Sequence, residues 1–289
     1  TLYIAPARMD LDKFEIFGGF TTVSSGYYER VYDGEYHTFK AVYTGETYGQ
    51  SFVYSEEDMT YKFTGYCVNY KVSAAHFEDA YLSFRIVSVP LTVQVNDYDY
   101  VLNTNSRLAT SFSIVKGKLF KDDYICPHNA TIVNFDKSKA KYDEVYEYTI
   151  SFIKSYYDNR YYDITILSGK CHIKGYAEIV SSDGTITQKD DIYGAVEQAK
   201  DGETIRLNCN ANAKRQIVIT KNLTINGNDY CYSAYPDIFE DMHQPMILVK
   251  SDKKITVNIK NMGIWANSCY SGGIQIGNDN VLNLDSVRI

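Results

Sequence analysis

The sequence predicts an all-β fold, with two tandem β-modules followed by short strands that coil in parallel. Three observations carry this. Tyr is the dominant aromatic, 28 residues against 13 Phe, and it favours strands where the ring packs and the hydroxyl reaches water. Residues 1–176 alternate apolar and polar with period two and show no helical period. Past residue 183 the strand-like runs shorten, and a direct repeat appears at an offset of 25.

The modules are placed by a recurring seam. Ser83–Leu91 and Lys170–Ala177 each read as a strand, a brief linker and a new strand, and Thr1–Ala7 has the same form. Ile4, Ile86 and Ile173 stand 82 and 87 residues apart, the size of one small β-sandwich. The expected division is therefore 1–9, the last strand of a preceding module, then modules at 10–89 and 90–176, then a coiled segment at 177–289. Within the modules Phe39, Ala41 and Tyr43 share a face, as do Tyr66, Val68, Tyr70 and Val72. Leu91, Val93 and Val95 do the same, followed by Tyr146, Tyr148, Ile150 and Phe152, then Tyr162, Ile164 and Ile166. Turn pairs such as Asp33-Gly34 and Ser168-Gly169 separate the runs.

The coiled segment opens with one helix at about 191–200. Ile192, Ala195, Val196 and Ala199 form an apolar stripe, Asp190 or Asp191 caps its start and Gly202 stops it. Strands are then expected at 204–207, 216–220, 222–226, 246–250, 255–259, 262–265, 273–276, 281–284 and 287–289. The stretch from Thr256 to Ile264 matches Val281 to Ile289, and Ile247-Leu248-Val249 lies 27 residues before Ile274-Gln275-Ile276. Such a period, with three strands per turn, suits a right-handed parallel β-helix in which each coil pairs with the next. Asn258 and Asn283 would then stack as an amide ladder. The amphipathic helix would cover the open coil end, whose bare edges otherwise invite aggregation.

The residues also resemble known families. Val31-Tyr32-Asp33-Gly34, Val68-Asn69-Tyr70-Lys71-Val72 and Pro90-Leu91-Thr92-Val93 resemble the tandem Y-D-G and MBG-type modules of bacterial and archaeal surface adhesins. The second module has Tyr98-Asp99-Tyr100 where that family favours Y-D-G. Asp191–Leu207 with Ile217–Gly227 resembles the entry into β-helix regions of adhesin-like proteins of gut bacteria and methanogenic archaea, and of the pectate-lyase-like superfamily. The resemblance implies Ig-like (or β-grasp-like) stalk modules and a non-catalytic, extracellular cell-surface protein whose β-helix is a binding face. Its partner would be a host or cell-surface glycan or protein. Two alternatives are a truncated polysaccharide-degrading enzyme of the pectate-lyase-like fold and a fibre subunit that self-associates through open strand edges. The superfamily's catalytic residues come from later coils, so none transfers to a position here.

Composition narrows the classes further. Net charge is −7, from 36 acidic and 29 basic residues without a basic stripe, a poor match for phosphate-backbone binding. No apolar run approaches the roughly 18 residues of a membrane span. The chain opens at Thr1 without Met and stops in mid-rung at Ile289, so a longer parent protein is expected. The six Cys form no C-x-x-C pair. Cys126 with Cys171 is the expected bridge within a module, and free buried thiols are the alternative.

Chemistry-bearing residues are sparse. The long insertion 228–245 holds Tyr230, Tyr232, Tyr235, Asp237, Phe239, Glu240, Asp241 and His243. Aromatic platforms beside carboxylates can bind sugar, and paired acids can cleave a glycosidic bond; packing on the coil flank is the bland alternative. Asp10/Asp12, Asp97/Asp99, Asp122/Asp123 and Asp190/Asp191 lack an EF-hand-like Ca²⁺ loop and read as turns or caps. No catalytic, metal or cofactor constellation is expected, and no cofactor.

Overall fold

The computed structural model describes residues 5–55, 67–102, 104, 107–241, 243–266 and 272–289, and the backbone of 60–61. Thr1, Ile4 and Tyr66, named above, lie outside the described residues, as does Cys269, the sixth cysteine. Half-buried, period-two sequences become strands, and the fold is mostly β with several sheets. Two compact units divide the chain. The first comprises 1–96, 110–131 and 149–169; the second comprises 97–109, 132–148 and 170–289.

The first unit is built on a five-stranded mixed sheet. Its strands are ordered Thr21–Ser24, Tyr27–Val31, Ala80–Val87, Cys67–Ala74 and Phe52–Tyr54. Tyr27–Val31 runs parallel to Ala80–Val87, and the other neighbours are antiparallel. Alternation decides the faces: Val68, Tyr70 and Val72 are buried while Cys67 and Asn69 are exposed. Phe84 sits at the centre of an aromatic core, with ring centroids 5.3 Å from Phe20, 5.2 Å from Tyr28 and 5.4 Å from Phe39. Ala7, placed by sequence in a strand of a preceding module, is bridged to Phe77 of this unit. A three-stranded sheet pairs Val89–Val95 antiparallel with Phe112–Lys116 and parallel with Tyr162–Leu167. Nearby, Tyr32 and Tyr162 both donate to Asp123, at 2.8 and 2.7 Å.

The second unit contains three ladders of parallel strands. In the first, Thr204–Leu207 pairs with Leu223–Asn226, which pairs with the front half of Thr256–Ala266, which pairs with Val281–Arg288. In the second, Ala211–Ala213, Cys231–Ala234 and the back half of Thr256–Ala266 follow one another. In the third, Ile217–Ile219, Ile247–Val249 and Ile274–Ile276 do so. Asn258 stands opposite Asn283, whose Nδ2 donates to Asn258 Oδ1 at 2.8 Å, as the repeat predicts. Inward columns are apolar and closed: Ile205, Leu207, Ile225, Val257, Ile259 and Ile264 are fully buried.

Two differences from the sequence expectation are instructive. The paired short strands expected at 255–259 and 262–265 are one strand, Thr256–Ala266, bent at Asn261, whose φ is +50°. Asn tolerates this left-handed geometry, so the corner is turned without breaking the ladder. The edge of the first ladder is covered mainly by a strand. Ala177–Val180 pairs antiparallel with Thr204–Leu207 and with Ile186–Lys189. A helix cannot satisfy the hydrogen bonds of a strand edge. The helix Ile192–Gln198, capped by Asp191 through Gly194 N at 2.7 Å, instead packs Ile192, Ala195 and Val196 into the apolar interior.

Cys67, Cys126, Cys171, Cys209 and Cys231 are free thiols, so the expected Cys126–Cys171 bridge is absent. Burial pushes the Cys171 thiol up to about 11. No helix among the described residues is long and apolar enough to cross a membrane.

Candidate functional site

The stretch 228–245 begins at a corner. Asn228 and Asp229 take φ values of +51° and +65°, and Asn226 Oδ1 accepts from Asn228 N at 3.0 Å. The chain then enters the strand Cys231–Ala234, so this stretch carries a rung of the stack. That placement sorts the candidate residues. Tyr232 and Phe239 point into the apolar core and are buried. The Tyr232 hydroxyl lies 3.2 Å from that of Tyr193, which also accepts from Lys214 N and Arg215 N at 2.7 and 3.0 Å. Burial drives the Tyr232 phenol far above its ordinary value.

Tyr235, Asp237, Glu240 and His243 are exposed. Asp241 accepts from His243 N at 2.9 Å, which with the His243 ring holds its carboxyl below the usual range. Tyr230 lines a recess. The sequence left open whether these side chains bind sugar or pack on the coil flank; alternation along the strand puts Tyr232 inside, and the turn after it buries Phe239.

That recess is a cleft of about 430 Å³ within the second unit, lined by Tyr98, Asp99, Asn208, Cys209, Asn210 and Tyr230 among others. Tyr98 and Asp99 come from the strand Tyr98–Val101, which pairs in parallel with Gly169–Lys174. Asn208, Cys209 and Asn210 form the corner between Thr204–Leu207 and Ala211–Ala213. The Tyr98 ring stacks on Tyr148, centroids 5.4 Å apart, and its hydroxyl donates to Arg107 O at 3.3 Å. Burial, with Cys171, Tyr100 and Tyr230 nearby, raises the Tyr98 phenol. Burial also pushes the Cys209 thiol up to about 11, which keeps it protonated and unreactive at neutral pH.

A smaller recess of about 290 Å³ has Tyr176, Asp190, Asp191, Tyr193 and Lys214 in its wall. Its Tyr176 hydroxyl donates to Asn210 O, of the larger cleft's corner, at 3.2 Å. Asp190 accepts from the Tyr142 hydroxyl, and Asp191 is the helix cap. In two other acidic pairs one member has a backbone partner: Asp10 accepts from Asp12 N, and Asp97 from Lys170 N. Among the described residues no group of three or more His, Cys, Asp or Glu side chains could hold a metal ion.

Asp99 appeared in sequence as half of an acidic pair and within Tyr98-Asp99-Tyr100, and Asn208 and Asn210 carried no signal. More than a hundred residues separate them from Tyr98, and only the fold brings them to one wall. Aromatic faces, amides and one carboxylate are equipped to bind a polyhydroxylated ligand by packing and hydrogen bonds. Comparisons with protein-family models, with curated proteins and with solved structures find no match to this chain.

Proposed function

We propose that this chain is a non-catalytic stretch of an extracellular, adhesin-like cell-surface protein, its β-modules serving as stalk and its parallel stack as binding face. The observation that carries the reading is the in-register stack. Main-chain ladders hold outward side chains at fixed intervals of about 4.8 Å, and the outward column Thr224, Asn258 and Asn283 is polar. A rigid, regularly spaced polar surface suits recognition of a repetitive glycan or an extended protein.

For residues 177–289 we infer a right-handed parallel β-helix. Three ladders and the helix laid on the apolar interior support it, and parallel crossovers nearly always take that hand. For 10–89 and 90–176 we infer Ig-like or β-grasp-like modules. In support, an early strand of each pairs in parallel with a late one: Tyr27–Val31 with Ala80–Val87, and Val89–Val95 with Tyr162–Leu167.

Two measurements test the reading. Antibodies raised against the chain should label intact, unpermeabilised cells of its source, and the purified chain should release no reducing ends from pectin-like or host glycans. Labelling seen only after permeabilisation would remove the surface role. Release of reducing ends would replace it with the polysaccharide-cleaving alternative.

A further inference from the structure

We propose that the cleft between the strand Tyr98–Val101 and the corner 208–210 is a binding site for a neutral pyranose sugar. It gives a location and a ligand class to the binding role proposed above, and rests on that reading.

The argument starts from two side-chain amides, each tied at one end. Asn208 Nδ2 donates to Gly175 O at 3.0 Å, which leaves Oδ1 as an acceptor with no partner among the described residues. Asn210 Oδ1 accepts from Cys231 N at 2.9 Å, which leaves Nδ2 as a donor with none. The orientation of both amides follows from the partner, a carbonyl in one case and an N–H in the other. The cleft therefore presents one held acceptor and one held donor. A sugar hydroxyl, which both gives and takes a hydrogen bond, satisfies either.

Asp99 adds a third polar group. Its carboxylate is exposed and makes no hydrogen bond or ion pair with a described residue. A carboxylate beside amides is well suited to accept from adjacent hydroxyls, and such charge-assisted bonds are the stronger kind. No Lys or Arg lines this cleft, so an anionic ligand would meet only repulsion from Asp99. A neutral ligand rich in hydroxyls fits.

The remaining wall is aromatic. Tyr98 is immobilised by Tyr148 and by its bond to Arg107 O. Tyr230 packs its ring against the apolar core of the stack and keeps its hydroxyl unbonded among the described residues. An apolar ring with a rim of hydroxyls matches such a wall, and groups already held in place lose little entropy on binding. A quaternary ammonium ion also suits aromatics beside a carboxylate, but it would leave both amides unused.

Ligand-observed saturation-transfer NMR on the intact chain provides the test, with the methyl glycosides of glucose, galactose, mannose and N-acetylglucosamine as probes. At least one glycoside should show transfer with millimolar affinity. Asp99→Ala and Asn210→Ala should each weaken it about tenfold, the loss of a hydrogen bond to a held or charged group. Val53→Ala, an exposed change in the first unit and outside the cleft, should leave it unchanged. Circular dichroism confirms that each variant is folded.

The site is overturned if no glycoside shows transfer, or if transfer persists unchanged in both cleft variants. It is equally overturned if tetramethylammonium binds in place of the sugars and Asn210→Ala leaves that binding intact. None of these results bears on the surface role, which the labelling experiment decides separately.

Discussion

Glu178 shows how single residues hold this fold. It is fully buried on Ala177–Val180, yet three side chains converge on its carboxylate. Arg206 Nε donates to Oε2 at 2.8 Å, Gln188 Nε2 donates to Oε1 at 2.9 Å, and Lys174 Nζ lies 3.6 Å from Oε1. Gln188 Nε2 also reaches Asp143, and its own oxygen accepts from Gly175 N at 2.7 Å. Burial opposes ionisation of Glu178, but the bonds from Arg206 and Gln188 and the charge of Lys174 outweigh it, and its carboxyl lies below the usual range. A carboxyl lowered in the folded state contributes stability above its unfolded value, and that stability is lost as the pH falls through the folded value. Glu178→Gln should therefore cost about 3 kcal/mol at neutral pH, the penalty for stranding the partners of a buried ion. It should also flatten the acid limb of the stability profile. Urea unfolding at pH 7 and pH 3 checks both, and an unchanged midpoint at pH 7 would show that the network is ornamental. Sequence could not reveal this cluster, because strand pairing alone unites its members. Asn258 and Asn283 were legible, since a repeat places equivalent residues in equivalent environments.

At the scale of elements, the stack depends on close approach at its corners. Gly227 is buried where the first ladder turns, and its N–H donates to Lys260 O at 2.9 Å in the next rung. A Cβ added there would meet Met262 Cβ at 2.5 Å and Asn261 O at 2.6 Å. Gly227→Ala should thus destabilise the chain by about 2 kcal/mol through overpacking, measured as a lower thermal midpoint in circular dichroism. A neutral effect would mean that the rungs can separate at that corner. Strands rich in Ile and Val were readable from pattern, and Thr204–Leu207 is found at its expected bounds. Ala211–Ala213 and Cys231–Ala234 were not expected. Their Ala, Asn and Ser have weak strand preference, and only pairing with neighbouring rungs makes them extended. The same strand assignment turned Tyr232 inward and removed it from the surface.

For the molecule as a whole, the abundance of Tyr sets an alkaline limit. Burial, with the charge of Tyr98 and Cys171 nearby, pushes the Tyr148 phenol up to about 12, and burial raises Tyr32, Tyr162, Tyr176 and Tyr232 further. Ionisation of such groups is easier once the chain unfolds, where the phenol returns to about 10. Their contribution is complete below that pH and is lost as the pH climbs through the folded values. Thermal midpoints should hold to about pH 10 and then fall steeply, with tyrosinate absorbance rising as folded structure is lost. Smooth titration of every phenol near pH 10 with the fold intact would contradict this. The sequence by itself determined the all-β class, the short helix near residue 192 and the register of Asn258 with Asn283, because each follows from local periodicity or a direct repeat. The tertiary structure alone decided which polar residues meet. Glu178 gains Arg206, Asp123 its two phenols, and Tyr98 and Asp99 their amide neighbours through contacts between segments far apart in the chain. Such meetings leave no period for a sequence to display.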